Sequence, residues 1–261
     1  MHDVSSFNTL TYSDFDLPSN YSVSIRPLQL FMKRVRKRFG PTRFFLCAEY
    51  GEQTLRPHYH VILFGQDFRE DRKLWRRGNN GDLNYRSETL EKLWPFGFAE
   101  TASLTRESAG YTARYMVKKI YGDKAKEHYL RTHPLTGQLN QVEPEFIRMS
   151  TKPGLGATWY EKYKSDCFPS DFLINRDGIK QPIPRYYVRI YERDTAPDPA
   201  DFGDQIPSPF SLDPIDTLKN ERITDARERN RAHPLEQTPD RLAVKEEILH
   251  LRAAKLIRPL E

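Results

Sequence analysis

The segment "RPHYHVILFG", residues 56–65, places His58 and His60 two residues apart at the start of a run of β-forming residues. Side chains on a strand alternate between faces, so both imidazoles point to one side and Tyr59 to the other. Two imidazoles one pleat apart can ligate a single ion, although the same pair also serves as plain polar residues on a solvated sheet face. The preceding run "RFFLCAEYG" (43–51) reads as a second strand, joined to the first by a polar connection, most simply as a long antiparallel hairpin. Pairing around residues 54 and 55 brings Glu49 roughly opposite His60, where a carboxylate on the same face would complete a three-ligand site. Glu52 is the rival carboxylate, placed in the turn, and Glu49 is otherwise an exposed hairpin charge. A His-His-carboxylate set with open positions suits a divalent ion that must also hold substrate oxygens. Mg²⁺ or Mn²⁺ therefore fits better than a closed structural zinc site.

A second constellation lies in "GYTARYMVKK". On a helix, Tyr111, Tyr115 and Lys118 fall within about 40° of one direction and form a stripe. Aromatic residues at helical spacing often pack in a core. Two phenols and an amine make poor core, however, because each needs a hydrogen-bond partner when buried. A phenol is a weak nucleophile near neutral pH, so it needs a polarised electrophile or a nearby cation, and Lys118 supplies the latter. Lys119 points elsewhere on the helix.

The elements that must position these groups follow from periodicity. "FNTLTYS" (7–13) suits a strand, and "RPLQLFMKRVRKRF" sets Leu28, Phe31, Met32 and Val35 at helical spacing before Gly40-Pro41 ends the helix. After the hairpin comes a charged, Gly/Asn-rich loop (66–86), and "SETLEKLWP" then opens a helix capped by Ser87. "FGFAETASL" (96–104) reads as a strand and 105–122 as a helix stopped by Gly122. The order β-α-β-β-α-β-α predicts an α+β fold: a mostly antiparallel sheet of about five strands with flanking helices. Further on, "HPLTGQLNQVEPEF" reads as an exposed loop, "TWYEKY" (158–163) as a helix turn and "PRYYVRIYER" (184–193) as a strand. The expected division is a domain over 1–194, a Pro-rich linker over 195–214 and a charged helical segment over 215–261.

Hydrophobic residues make up 38% and charged residues 30% of the 261-residue chain, an ordinary globular balance. No window approaches the ~18 apolar residues of a membrane span, and no secretory signal opens the chain, so a cytosolic protein is expected. Cys47 and Cys167 belong to no CxxC pair and read as reduced filler. The net charge of +5 arises within the first 210 residues, where "KRVRKRFGPTR" carries Lys33, Arg34, Arg36, Lys37, Arg38 and Arg43 without one acid. That run is a candidate phosphate-facing surface, although a charged helix is also an ordinary solvated face.

Taken in order, "FNTLTY", "RPHYHVILF" and "YTARYMVK" resemble the three motifs of the HUH endonucleases, the rolling-circle replication initiators. The two-tyrosine third motif is similar to initiators of small single-stranded DNA phages, and "MSTKPGLGATWYEKY" (149–163) resembles the gokushovirus branch of the microviruses. Such phage initiators carry a cysteine-containing segment before the first motif, and this chain starts almost at that motif, as a shortened or alternatively started product would. The resemblance implies metal-dependent nicking and rejoining of single-stranded DNA at an origin. His58, His60 and Glu49 would hold Mg²⁺ or Mn²⁺, and Tyr111 or Tyr115 would attack to give a 5′-phosphotyrosine and a free 3′-OH. Lys118 matches the motif lysine. It also implies work in the host bacterial cytoplasm, with host polymerase and a host helicase as partners. The alternative is a non-catalytic protein that binds single-stranded nucleic acid, its histidines and tyrosines stacking on bases.

Overall fold

The computed structural model of the chain describes residues 2–51, 54–78, 81–118, 123–133, 136–168, 172–175 and 178–195, with a few single positions beyond; within these spans the side chains of 115–118, 123–124 and 195 are left undescribed. The expected linker and all but single positions of the C-terminal segment lie outside the described residues, as does Gly122. The elements are β1 (Ser5–Tyr12), α1 (Ile25–Phe39), β2 (Arg43–Tyr50), β3 (Pro57–Phe64), β4 (Lys73–Arg77), β5 (Leu83–Arg86), α2 (Glu88–Leu93) and β6 (Gly97–Ser103). They continue with α3 (Arg106–Lys118), α4 (Asp123–His128), β7 (Leu130–Thr132), β8 (Leu139–Gln141), β9 (Phe146–Met149), α5 (Ala157–Cys167), β10 (Phe172–Ile174), β11 (Lys180–Pro182) and α6 (Arg185–Thr195). The chain divides into two compact units, one over His2–Lys152 and one from Pro153 onward.

In the first unit, seven antiparallel strands form one sheet in the order β4-β5-β6-β1-β3-β2-β9. The α+β class therefore stands, with seven strands where about five were expected. Alternation splits the residues of each strand between two faces. Leu10, Tyr12, Leu46, Ala48, Tyr59, Val61 and Ala99 join the main core with Leu28, Phe31, Met32 and Val35 of α1 and with Leu90, Leu93 and Trp94 of the α2 region. The spacing of those four α1 residues is the helical stripe read from the sequence. Ser24 caps the start of α1, and Gly40, at φ 80°, ends it by donating to the Arg36 carbonyl. Ser87 caps α2 by accepting from the Leu90 N–H at 3.1 Å, and Asp71 accepts from the Ser87 hydroxyl and the Thr89 N–H. The opposite face of the sheet meets α3: Tyr111 packs on Cys47, Phe7 and Ile147.

Three sequence expectations are corrected. The loop expected over 66–86 contains the hairpin β4–β5; every residue of β4 is exposed, so this edge strand carries no hydrophobic alternation to announce it. The loop expected over 133–146 contains β8 and the first residue of β9, whose register on β2 pairs Phe45 with Met149 and Cys47 with Ile147. The strand expected over 184–193 is α6. Its tyrosines and β-branched residues favour a strand by composition, but Tyr187, Val188 and Tyr191 recur with the helical period and pack on Tyr160, Cys167, Phe168 and Ile183. The helix turn expected over 158–163 is longer, spanning α5.

In the second unit, the glycines of "KPGLGATWY" have a steric reason. A Cβ on Gly154 would overlap the Tyr186 ring, and Gly156 takes φ 85° with the Tyr187 hydroxyl against it. Both cysteines are free and buried, as expected of filler.

Candidate metal and nucleophile site

The hairpin β2–β3 turns two residues earlier than expected: Tyr50 pairs with Pro57, so Glu49 stands opposite His58 and Cys47 opposite His60. A slip of two residues preserves the face, so Glu49 still shares its side of the sheet with both histidines and reaches His60 on the diagonal. Glu49 Oε1 lies 2.7 Å from His58 Nε2 and 2.6 Å from His60 Nε2. The three candidate donor atoms all lie within 4.8 Å of one another. Glu52, the rival carboxylate, lies outside the described residues.

Both imidazoles are held from behind. Thr9 Oγ1, on the neighbouring strand β1, is 3.1 Å from His60 Nδ1, and the Arg56 carbonyl is 3.3 Å from His58 Nδ1. In the tautomer with the proton on Nδ1, those oxygens accept it and the Nε2 atoms become lone-pair donors. The three convergent atoms then form an N₂O set, a chemistry that fits a divalent ion with positions left for substrate oxygens. Burial alone would raise the Glu49 carboxyl, but hydrogen bonds and charge from His58 and His60 outweigh it and hold the group below its ordinary range. Burial pushes His60 down, against the raising influence of Glu49, so its neutral form is favoured.

Tyr111 projects from α3 onto this cluster. Its ring is 9% exposed and meets the His60 ring edge-on at 5.5 Å, while Phe7 stacks on His60 at 5.1 Å. Tyr115 and Lys118 belong to α3 by backbone, one and about two turns on from Tyr111, but their side chains lie outside the described residues, as does Lys119 altogether.

The structure does not bring the basic run to the triad. Lys33, Arg34, Arg36, Lys37 and Arg38 ride on α1, which packs on the opposite face of the sheet. Arg34 has a local task, donating to the Leu93 carbonyl and lying 5.6 Å over the Phe96 ring. Arg36, Lys37 and Arg38 complete the last turn of α1, where cations complement the helix dipole. Arg43 begins β2 and, by alternation, shares the face of Glu49 at the other end of the strand.

Sequence reasoning missed Thr9, Phe7 and Phe98 as site residues. Thr11 pairs with both His58 and Phe98, so Phe98 lies on the triad's face two strands away, 57% exposed. The signal was the alternation of 7, 9 and 11 within "FNTLTY", which becomes informative once β1 is known to border β3.

Residues 5–120 match the family model of the replication-associated protein ORF2 type. The chain is 33% identical over 203 residues to the replication-associated protein VP4 of Bdellovibrio phage phiMH2K, covering 74% of this chain and 59% of the relative. It is 32% identical over 202 residues to the replication-associated protein ORF2 of Spiroplasma virus 4, covering 72% and 58%. A shorter match, 32% identical over 127 residues, links it to the replication-associated protein ORF4 of Chlamydia phage 1, covering 46% of this chain and 32% of that one. The chain thus spans about three fifths of the length of the first two relatives. No solved structure matches it.

Proposed function

Given that the chain carries, over residues 5–120, a domain of the replication-associated protein family typified by ORF2, we propose that it initiates rolling-circle replication by nicking and rejoining single-stranded DNA at an origin. The observation that supports this reading best is the convergence of Glu49, His58 and His60 beside the Tyr111 ring. Those three residues would hold Mg²⁺ or Mn²⁺, which, when bound, withdraws charge from the oxygens of a scissile phosphate. Thr9 and the Arg56 carbonyl keep the imidazoles oriented for that task.

The Tyr111 oxygen attacks phosphorus, the bond to the 3′ oxygen breaks, and the phenolic proton leaves while the departing oxygen takes one up. The products are a 5′-phosphotyrosine and a free 3′-OH for the host polymerase. One phosphoester replaces another, so rejoining needs no ATP. Tyr115, one turn along α3, is assigned the second cleavage, and Lys118 the stabilisation of phenolate or phosphate. The reaction takes place in the host cytoplasm, and no described helix is long and apolar enough to cross a membrane.

The test is incubation of the full chain with origin single strands and Mn²⁺, followed by mass spectrometry. A nucleotide fragment on Tyr111 or Tyr115 is expected, reduced in each single Tyr→Phe variant and lost in the double variant. An adduct that survives in the double variant overturns the nucleophile assignment. Nicked DNA with no protein attached would mean attack by water, and binding unaffected by EDTA without nicking would mean a non-catalytic binder.

A further inference from the structure

We propose that a basic cleft at the far end of β2 from the triad is a second anchor for the backbone of the substrate strand. This rests on the nicking reading, since it concerns the same DNA. The cleft has a volume of about 730 Å³, and its walls include Arg36, Thr42, Arg43, Phe44, Ser150 and Lys152. Among the described residues, no acidic side chain lines it.

Its cations come from three separate elements. Arg36 sits in the last turn of α1, Arg43 is the first residue of β2, and Lys152 follows β9. A solvated helix face concentrates charge along one element; here the fold gathers it from three, at an electrostatic cost that a bound polyanion would offset. The gathering is enforced by backbone pairing: the Ser150 N–H donates to the Phe44 carbonyl at 3.0 Å, and the Phe44 N–H donates to Ser150 Oγ at 3.1 Å. These two bonds tie the segment bearing Lys152 to the start of β2. The Arg36 guanidinium lies 5.5 Å from the Phe44 ring centroid, which restrains its plane and suits it to grip a phosphate through its N–H edge. The rings and methylenes of Phe44 and Met149 offer an apolar wall for sugars or bases.

Position points to a strand already engaged at the triad. Arg43 and Glu49 occupy one face of β2 six residues apart, so a strand following that face from triad to cleft travels roughly 20 Å. At the duplex spacing of ~3.4 Å per nucleotide this is about six nucleotides.

The experiment measures binding of the full chain to single strands by fluorescence anisotropy in EDTA. One origin oligonucleotide of about 6 nucleotides covers the triad alone, and one of about 16 also reaches the cleft. The variants are Lys152→Glu, at an exposed position outside the sheet, and Arg43→Ala with Lys152→Ala. The expected result is a loss of about ten-fold for the long strand and little change for the short one. For the double variant, the slope of log affinity against log salt should flatten by about 1.4, since single strands contribute roughly 0.7 per phosphate. Adduct formation on the short strand should stay at the wild-type level. Long-strand affinity equal to wild type in both variants overturns the proposal, and so does an equal loss at both lengths. A length-dependent loss in a chain that forms no adduct supports the cleft and rejects the nicking reading instead.

Discussion

At the scale of single residues, the site depends on groups that never touch an ion. Thr9 fixes the ring and tautomer of His60 from a neighbouring strand. Thr9→Val should weaken Mn²⁺ binding by roughly 10–100-fold, as read by titration calorimetry, with Thr9→Ser restoring most of it. Wild-type affinity in the valine variant would deny Thr9 that role. Phe98, exposed on the triad's face, is placed to stack on a base; Phe98→Ala should cost about 1–3 kcal/mol of single-strand binding, measured by anisotropy without metal. The triad itself was legible in the sequence because alternation forgives a register error of two residues. Glu49 was expected across from His60, stands across from His58, and keeps its face. Thr9, Phe7 and Phe98 were illegible for the opposite reason: they reach the site through pairings of β1 with β3 and β6, which no local pattern encodes.

At the scale of elements, β1 and β3 are locked together beneath α1 and α2 by a polar knot within the apolar core. Tyr12 Oη lies 3.0 Å from Tyr59 Oη, and Tyr59 donates to the Ser24 carbonyl while accepting from the Ser24 N–H. The indole of the fully buried Trp94 donates to the Thr11 carbonyl and packs against both tyrosines. Tyr12→Phe removes one bond and should cost about 1 kcal/mol in chemical denaturation, whereas Tyr59→Phe strands the Ser24 groups and should cost more. Burial is the main influence raising both phenols above their ordinary value of 10.0. Because the folded state resists ionisation, each phenol's contribution is intact below pH 10.0 and declines above it, as the unfolded chain ionises first. Melting temperature should therefore drop as pH rises past that point, and less steeply in Tyr12→Phe. Helices with a one-sided apolar stripe, such as α1, were readable in advance. Elements that bury little, such as β4, or whose composition opposes their period, such as α6, were not.

At the scale of the whole molecule, two compact units carry separate cores. The second depends on close approach of α6 tyrosines to a glycine pair. Gly154→Ala should open the region after Pro153 to limited proteolysis while leaving Mn²⁺ binding by the triad unchanged. A protease pattern identical to wild type would show that the Tyr186 ring moves aside freely. In the first unit, β1 is a central strand, paired on one side with residues 57–64 and on the other with 97–103. During synthesis this early strand has no mate until dozens of further residues have left the ribosome, and sheet closure must await the last of them. High contact order of this kind slows folding and leaves apolar edges open meanwhile. In a host cell making many copies quickly, translation speed and chaperone supply would then govern how much working protein accumulates.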